Sequence, residues 1–227
     1  MSRLSLLITA ILLASIPALS QTHYDGTIAV GGKAGVSLSR VNFNPTVQQV
    51  MLPGVTAGVA FRYVEEKHFG LVAELNMTQR GWKEVLEGSD YSYNHRFTYL
   101  ELPVMTHIYF GSRRVKGFFN LGPELGVMLG DAVNANFSYQ DAASMDYFIK
   151  DTRHIEQMTM DVNNRLDYGI CGGAGMEVNL DSRHSVLLEG RFYYGLTDVF
   201  PNHKTDVFSG SNSMTVTVTL GYFFRLK

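Results

Sequence analysis

Cysteine is almost missing from this 227-residue chain: Cys171 stands alone, so no internal disulfide can hold the fold. A charge surplus is missing too. Nineteen Lys and Arg against 21 Asp and Glu leave a formal net charge of −2, which gives no pull toward nucleic acid. Past the first twenty residues no apolar run reaches about 18 residues, so no transmembrane helix is expected in the mature chain. Catalytic spacing is also lacking. His95 and His154 have Asp90 and Glu156 near them in sequence, but no serine is marked out as the nucleophile that a lipid-modifying enzyme would need. Asp151, His154 and Glu156 are metal-ligand types, yet three scattered ligands in one loop arise readily by chance. Gly172-Gly173-Ala174-Gly175 lacks the Lys and helix that follow a phosphate loop, so it reads as small residues on a strand. No catalytic residue, metal or cofactor is expected.

What is present is a strand-forming composition. Hydrophobic residues make up 45%, charged residues 18% and aromatics 12%, with 22 glycines. The first twenty residues read separately, with Arg3, the apolar run Leu4 to Leu19, and small residues at Ala18 and Ser20. That pattern predicts a signal peptide over 1–20 and one domain over 21–227 beginning at Gln21. The competing reading, an N-terminal anchor, meets a run that is short for a span and no Cys to carry a lipid.

From there the chain alternates with period two. In SVLLEGRFYYGL (185–196), Val186, Leu188, Phe192, Tyr194 and Leu196 share one face, and Glu189, Arg191, Tyr193 and Gly195 share the other. Leu187 and Gly190 look out of step. The pattern recurs over 31–39, 54–64, 68–79, 97–110, 117–130, 165–178 and 213–226. Between these stretches, 40–53, 80–96, 131–164 and 197–212 are long and polar, while 65–67, 111–116 and 179–184 are short. Long and short connections at opposite ends describe an eight-stranded antiparallel up-and-down transmembrane β-barrel, with short periplasmic turns.

Alternation does not by itself say which face meets lipid, since a soluble barrel would turn its apolar face inward. The polar face is rich in Gly, Ser and Thr, which suits a narrow bore, and the apolar face is too bulky to fill one. Phe61, Tyr63, Phe69, Phe110, Phe119, Tyr222 and Phe224 fall near the periplasmic strand ends, as an interfacial aromatic girdle would. Trp82, Tyr168 and Tyr194 fall near the opposite rim. The expected surroundings are outer-membrane lipid in a Gram-negative bacterium.

GGKAGVSLS (31–39), FGLVAELNMTQRG (69–81), YLELPV (99–104), FNLGPELGVMLG (119–130), DYGICGGAGMEV (167–178) and GRFYYGLTDV (190–199), in that order, resemble the PorT-like outer-membrane β-barrel family. The resemblance runs from about Gly31 to Leu226. It implies an eight-stranded outer-membrane barrel, with a link to protein secretion through the family's founding member, and it implies no catalytic residue.

The candidate site is a set of charges on the inward face: Lys33, Arg62, Glu74, Glu101, Glu124, Glu177, Glu189, Arg191 and Arg225. Charges in a bore must be paired or wet. Lys33, Arg62 and Arg225 are expected near the periplasmic end with Glu177. Glu74, Glu124, Glu189 and Arg191 are expected near mid-height with Glu101 above, which makes Arg191 the cation that neutralises the acidic belt. A polar plug is the leading reading, and a conduction or proton path the alternative. In the longest connection, 131–164, Tyr139, Met145, Tyr147, Phe148, Ile149 and Met158 suit either a binding surface or a cap packed over the barrel mouth. The expected function is a non-enzymatic structural or interaction component with a periplasmic or outer-membrane protein partner. The alternative is a small pore or ligand carrier.

Overall fold

The computed structural model describes residues 26–64, 68–149, 154–160, 162, 164–200 and 207–226. The expected signal peptide lies outside them. Eight long strands form one antiparallel sheet: β1 (Thr27–Asn44), β2 (Leu52–Val64), β3 (Phe69–Glu84), β4 (Tyr93–Gly111), β5 (Val115–Ala135), β6 (Leu166–Asn179), β7 (His184–Asp198) and β8 (Gly210–Arg225). Each pairs with its sequence neighbours, and β1 closes the ring on β8 through a register running from Ala29↔Arg225 to Asn44↔Gly210. A two-residue strand, Gln49–Val50, adds to the far end of β3. Closure leaves the barrel without free edges.

The strands run from 13 residues (β2) to 21 (β5). A tilted strand needs only about 9–11 residues to cross a bilayer. The surplus lies at the long-loop end, and there the polarity of the two faces inverts. Lower down β1, Lys33 and Ser37 are buried in the bore while Val36 and Leu38 are exposed outside. Four residues on, Val41 and Phe43 are buried inside and Arg40, Asn42 and Asn44 face out. Along β1 the wall is therefore lipid-compatible below and water-compatible above, with no break in its pairing on either side. This corrects the expected boundaries: β1 continues to Asn44, β3 to Glu84 and β5 to Ala135, and β4 begins at Tyr93.

Above the inversion sits an aromatic crown. Trp82, Phe97, Tyr93 and Phe43 meet Phe200 and Phe208 from the last loop, with Phe43 and Trp82 edge to face at 5.3 Å. Phe148 and Met158 are buried in this cluster, and Tyr139, Met145 and Tyr147 pack against it, whereas Ile149 is exposed. The longest connection thus packs over the barrel mouth. Trp82 lies at the long-loop end, as expected, and is wholly buried inside the crown. Leu187, which looked out of step, holds the inward parity and packs against Ala29, Ala60, Phe118 and Phe223 near the short-turn end.

Candidate functional site

Below the crown the bore is filled by side chains in three levels. Strand parity alone sends these side chains inward. On β3, Glu74, Asn76, Thr78 and Arg80 follow one another at every second position and all are buried.

The uppermost level centres on Arg80, which is 2% exposed. Its Nη2 contacts Glu101 at 2.7 Å and Glu124, and its Nη1 donates to Asp167 at 3.1 Å. The guanidinium lies 3.9 Å from the ring centre of Tyr193 and 5.3 Å from that of Tyr99. Thr78 donates to Glu101 at 2.8 Å, and Thr197 donates to Asp167. One cation thus holds three carboxylates.

The middle level pairs two cations with two carboxylates. Lys33 Nζ reaches Glu74 at 2.7 Å and Glu189 at 3.0 Å. Arg191 makes a two-pronged contact with Glu74 at 2.8 and 2.9 Å and reaches Glu189 at 2.9 Å. Asn76 and Asn120 each donate at 2.9 Å to Glu74 and Glu189 respectively, and His107 meets the Asn120 carbonyl oxygen at 2.8 Å. Between these two levels lies a cavity of about 20 Å³, lined by Thr56, Thr78, Thr215 and Thr219 among others. It has room for a single water. Asn76 Oδ1 and Thr215 Oγ1 are buried there without a hydrogen-bond partner, and such a water could satisfy them.

At the short-turn end Arg62 holds Glu177 through two parallel bonds of 2.7 Å and lies 4.5 Å from the Phe223 ring centre. Below this pair a cavity of about 110 Å³ includes Lys116 and Arg225 in its wall. Nearby, Asp181 accepts from the backbone amides of Arg183 and His184 at 2.7 and 2.8 Å, which holds its carboxyl below the usual range.

The structure redistributes the expected cations. Lys33 sits in the middle level with Glu74 and Glu189 instead of joining Arg62 and Glu177. Arg225 is half-exposed at the rim and donates to the Ser182 carbonyl at 3.1 Å. Arg191 does not neutralise the acidic belt alone: Lys33 shares the middle level, and Arg80 serves Glu101 and Glu124. Sequence reading missed Arg80 and Asp167 as site residues, although both keep inward parity.

Outside, Phe61, Phe69, Phe110, Phe119 and Tyr222 are 44–53% exposed near the short-turn end. Tyr63 and Phe224 are half-buried at the same end. Among the catalytic and metal candidates, His95 lies in β4 and its Nε2 is 2.7 Å from Asp131, not paired with Asp90. His154 and Glu156 approach to 3.5 Å at the surface, and Asp151 lies outside the described residues. Among the described residues no group of three His, Cys, Asp or Glu is placed to hold a metal ion.

A family model described as an outer membrane protein beta-barrel domain matches residues 19–201. No curated protein sequence matches the chain. Among solved structures, OprG of Pseudomonas aeruginosa is 11% identical with a TM-score of 0.53, over 90% of this chain and 97% of that one. Neisserial surface protein A is 10% identical with a TM-score of 0.47, over 87% and 98%. Ail of Yersinia pestis is 13% identical with a TM-score of 0.42, over 88% and 100%. At 11% identity the likeness to OprG is one of fold.

Proposed function

Because the chain belongs to the outer membrane protein beta-barrel domain family, and so sits in the bilayer of the bacterial outer membrane, we propose that it is a plugged, non-enzymatic barrel serving as a structural or interaction component. The observation that carries this reading is the bore, which three levels of paired charges fill under an aromatic crown. Its carboxylates are paired with Arg62, Arg80, Lys33 and Arg191, an arrangement that spends them on filling the bore. Between the two upper levels of the plug the cavity is the size of one water, which does not suit a carrier that holds its ligand in the middle of the bore.

On this reading the working surfaces are the two ends of the barrel, and the wall meets lipid through its exposed leucines, valines and aromatic residues. The PorT-like motifs along the strands point to service in protein secretion, beside a periplasmic or outer-membrane protein. The predicted signal peptide over 1–20 supports export by that route. The test is mild detergent extraction of native outer membranes after chemical crosslinking, with identification of what co-purifies. A defined protein partner, linked through the turns or loops, is the expected result. A barrel that emerges alone at every crosslinker length would remove the interaction role.

A further inference from the structure

The two ends of the barrel differ in charge. At the short-turn end the described residues carry six cations, Arg62, Arg113, Arg114, Lys116, Arg183 and Arg225, against the two carboxylates Glu177 and Asp181, and the connection between β2 and β3, outside the described residues, adds Glu65, Glu66 and Lys67 in sequence, which leaves cations in the majority. The whole chain is at −2, so this excess is local. Three of the six cations surround the cavity of about 110 Å³ in the mouth of the bore. Arg62 already holds Glu177 there with both arms of its guanidinium. Lys116 lies 4.7 Å over the Tyr109 ring, and Arg225 leans on the Ser182 carbonyl. The cavity therefore holds one carboxylate for three cations.

We infer that this mouth is a docking site for an acidic segment of a periplasmic protein, one carboxylate of which enters the cavity between Arg62, Lys116 and Arg225. This rests on the interaction-component reading and names the chemistry of the partner. The volume is about five times that of the single-water cavity in the plug, which suits a carboxylate with part of its hydration shell. The Arg62–Glu177 pair and the buried Phe118, Leu187 and Phe223 close the inner side, so a ligand enters and leaves only from the periplasm. Exposed Arg113, Arg114 and Arg183 on the turns meet the neighbouring acids of the same segment. A phospholipid headgroup fits less well. It lies around the outer wall, while these three cations face into the ring of strand ends.

The test uses the whole barrel in nanodiscs of zwitterionic phosphatidylcholine, with a fluorescent hexaglutamate peptide followed by anisotropy. Saturable binding is expected at low ionic strength, weakening at least ~10-fold between about 50 and 200 mM salt as screening shortens the reach of the charges. Lys116→Gln with Arg225→Gln should weaken it ~10-fold or more, and Lys116→Arg should retain it, because charge is what matters there. Neither position belongs to the plug, and unchanged urea unfolding of the double variant would verify that its fold is intact. No saturable binding, or equal binding by the double variant, overturns the proposal. So does loss of peptide binding when phosphatidylglycerol is added to the disc, which would make the mouth a headgroup site. A partner crosslinked only through the outer loops would keep the interaction role while sinking this docking site, so the two ideas fail separately.

Discussion

Replacing Arg80 by alanine removes the single cation from a buried site with three carboxylates. Its guanidinium contacts Glu101, Glu124 and Asp167 and lies against Tyr193. Breaking a buried ion pair by removing one partner costs about 3–5 kcal/mol, because the charge left behind is uncompensated. A desolvated cation–π contact adds about 2 kcal/mol. Protonation of a carboxylate and entry of water into the vacated space offset part of this, so the expected net loss is about 4 kcal/mol. Arg191→Ala should cost less, about 2 kcal/mol, since Lys33 still bridges Glu74 and Glu189. The assay is reversible urea unfolding in lipid vesicles, read by the fluorescence of the single tryptophan, Trp82, which is wholly buried in the crown. Adding Glu101→Gln, Glu124→Gln and Asp167→Asn to Arg80→Met should recover most of the loss, because neutral side chains need no counter-charge. If Arg80→Ala unfolds within about 1 kcal/mol of the parent, or if Arg191→Ala is the worse of the two, the layered account of the plug is wrong.

Other predictions follow from the same layering. Cys171 is fully buried against the Gly122 carbonyl, so maleimide should label it only after unfolding in the native barrel, and faster in Arg80→Ala. Gly35→Ala should fold poorly, because an added Cβ would stand 2.0 Å from the Val218 carbonyl oxygen across the β1–β8 seam; yield of heat-modifiable barrel on cold gel electrophoresis measures this. Leu121→Arg, on a side chain 62% exposed on the lipid face, should cost about 2–4 kcal/mol in vesicles, with the bore left closed. Phe148→Ser should open the cap over the mouth, giving faster protease cleavage of the longest loop while the strands stay protected.

Fold class and strand count were legible because period-two parity holds along most of each strand, with the register shift between β4 and β5 at Thr98 and Tyr99 as an exception near the long-loop end. Leu187 shows this: hydropathy marked it as out of step, yet parity sends it inward to Phe118 and Phe223. The strand ends were not legible, and the reason is physical. Reading apolar as outside is valid only within the bilayer. Past Ser39 and Gln79 the strands stand in water, so the same parity carries Val41, Phe43 and Trp82 inward, and the reversed polarity looks like a loop. That error hid Arg80, which continues the inward series of Glu74, Asn76 and Thr78 by one more step. Pairing partners were illegible for a different reason. Lys33 reaches Glu74 and Glu189 because a long flexible side chain crosses the narrow bore, and Cα register alone does not set that choice. The same limit applies to His95, whose partner Asp131 comes from the neighbouring strand and not from nearby sequence.

The central claim is that paired charges close the bore. Single-channel recording of the purified barrel in a planar bilayer tests it most directly. The account predicts almost no ionic current for the native protein, and discrete openings once Arg80 and Arg191 are both replaced by alanine. Steady ohmic conductance of the unaltered barrel would contradict it.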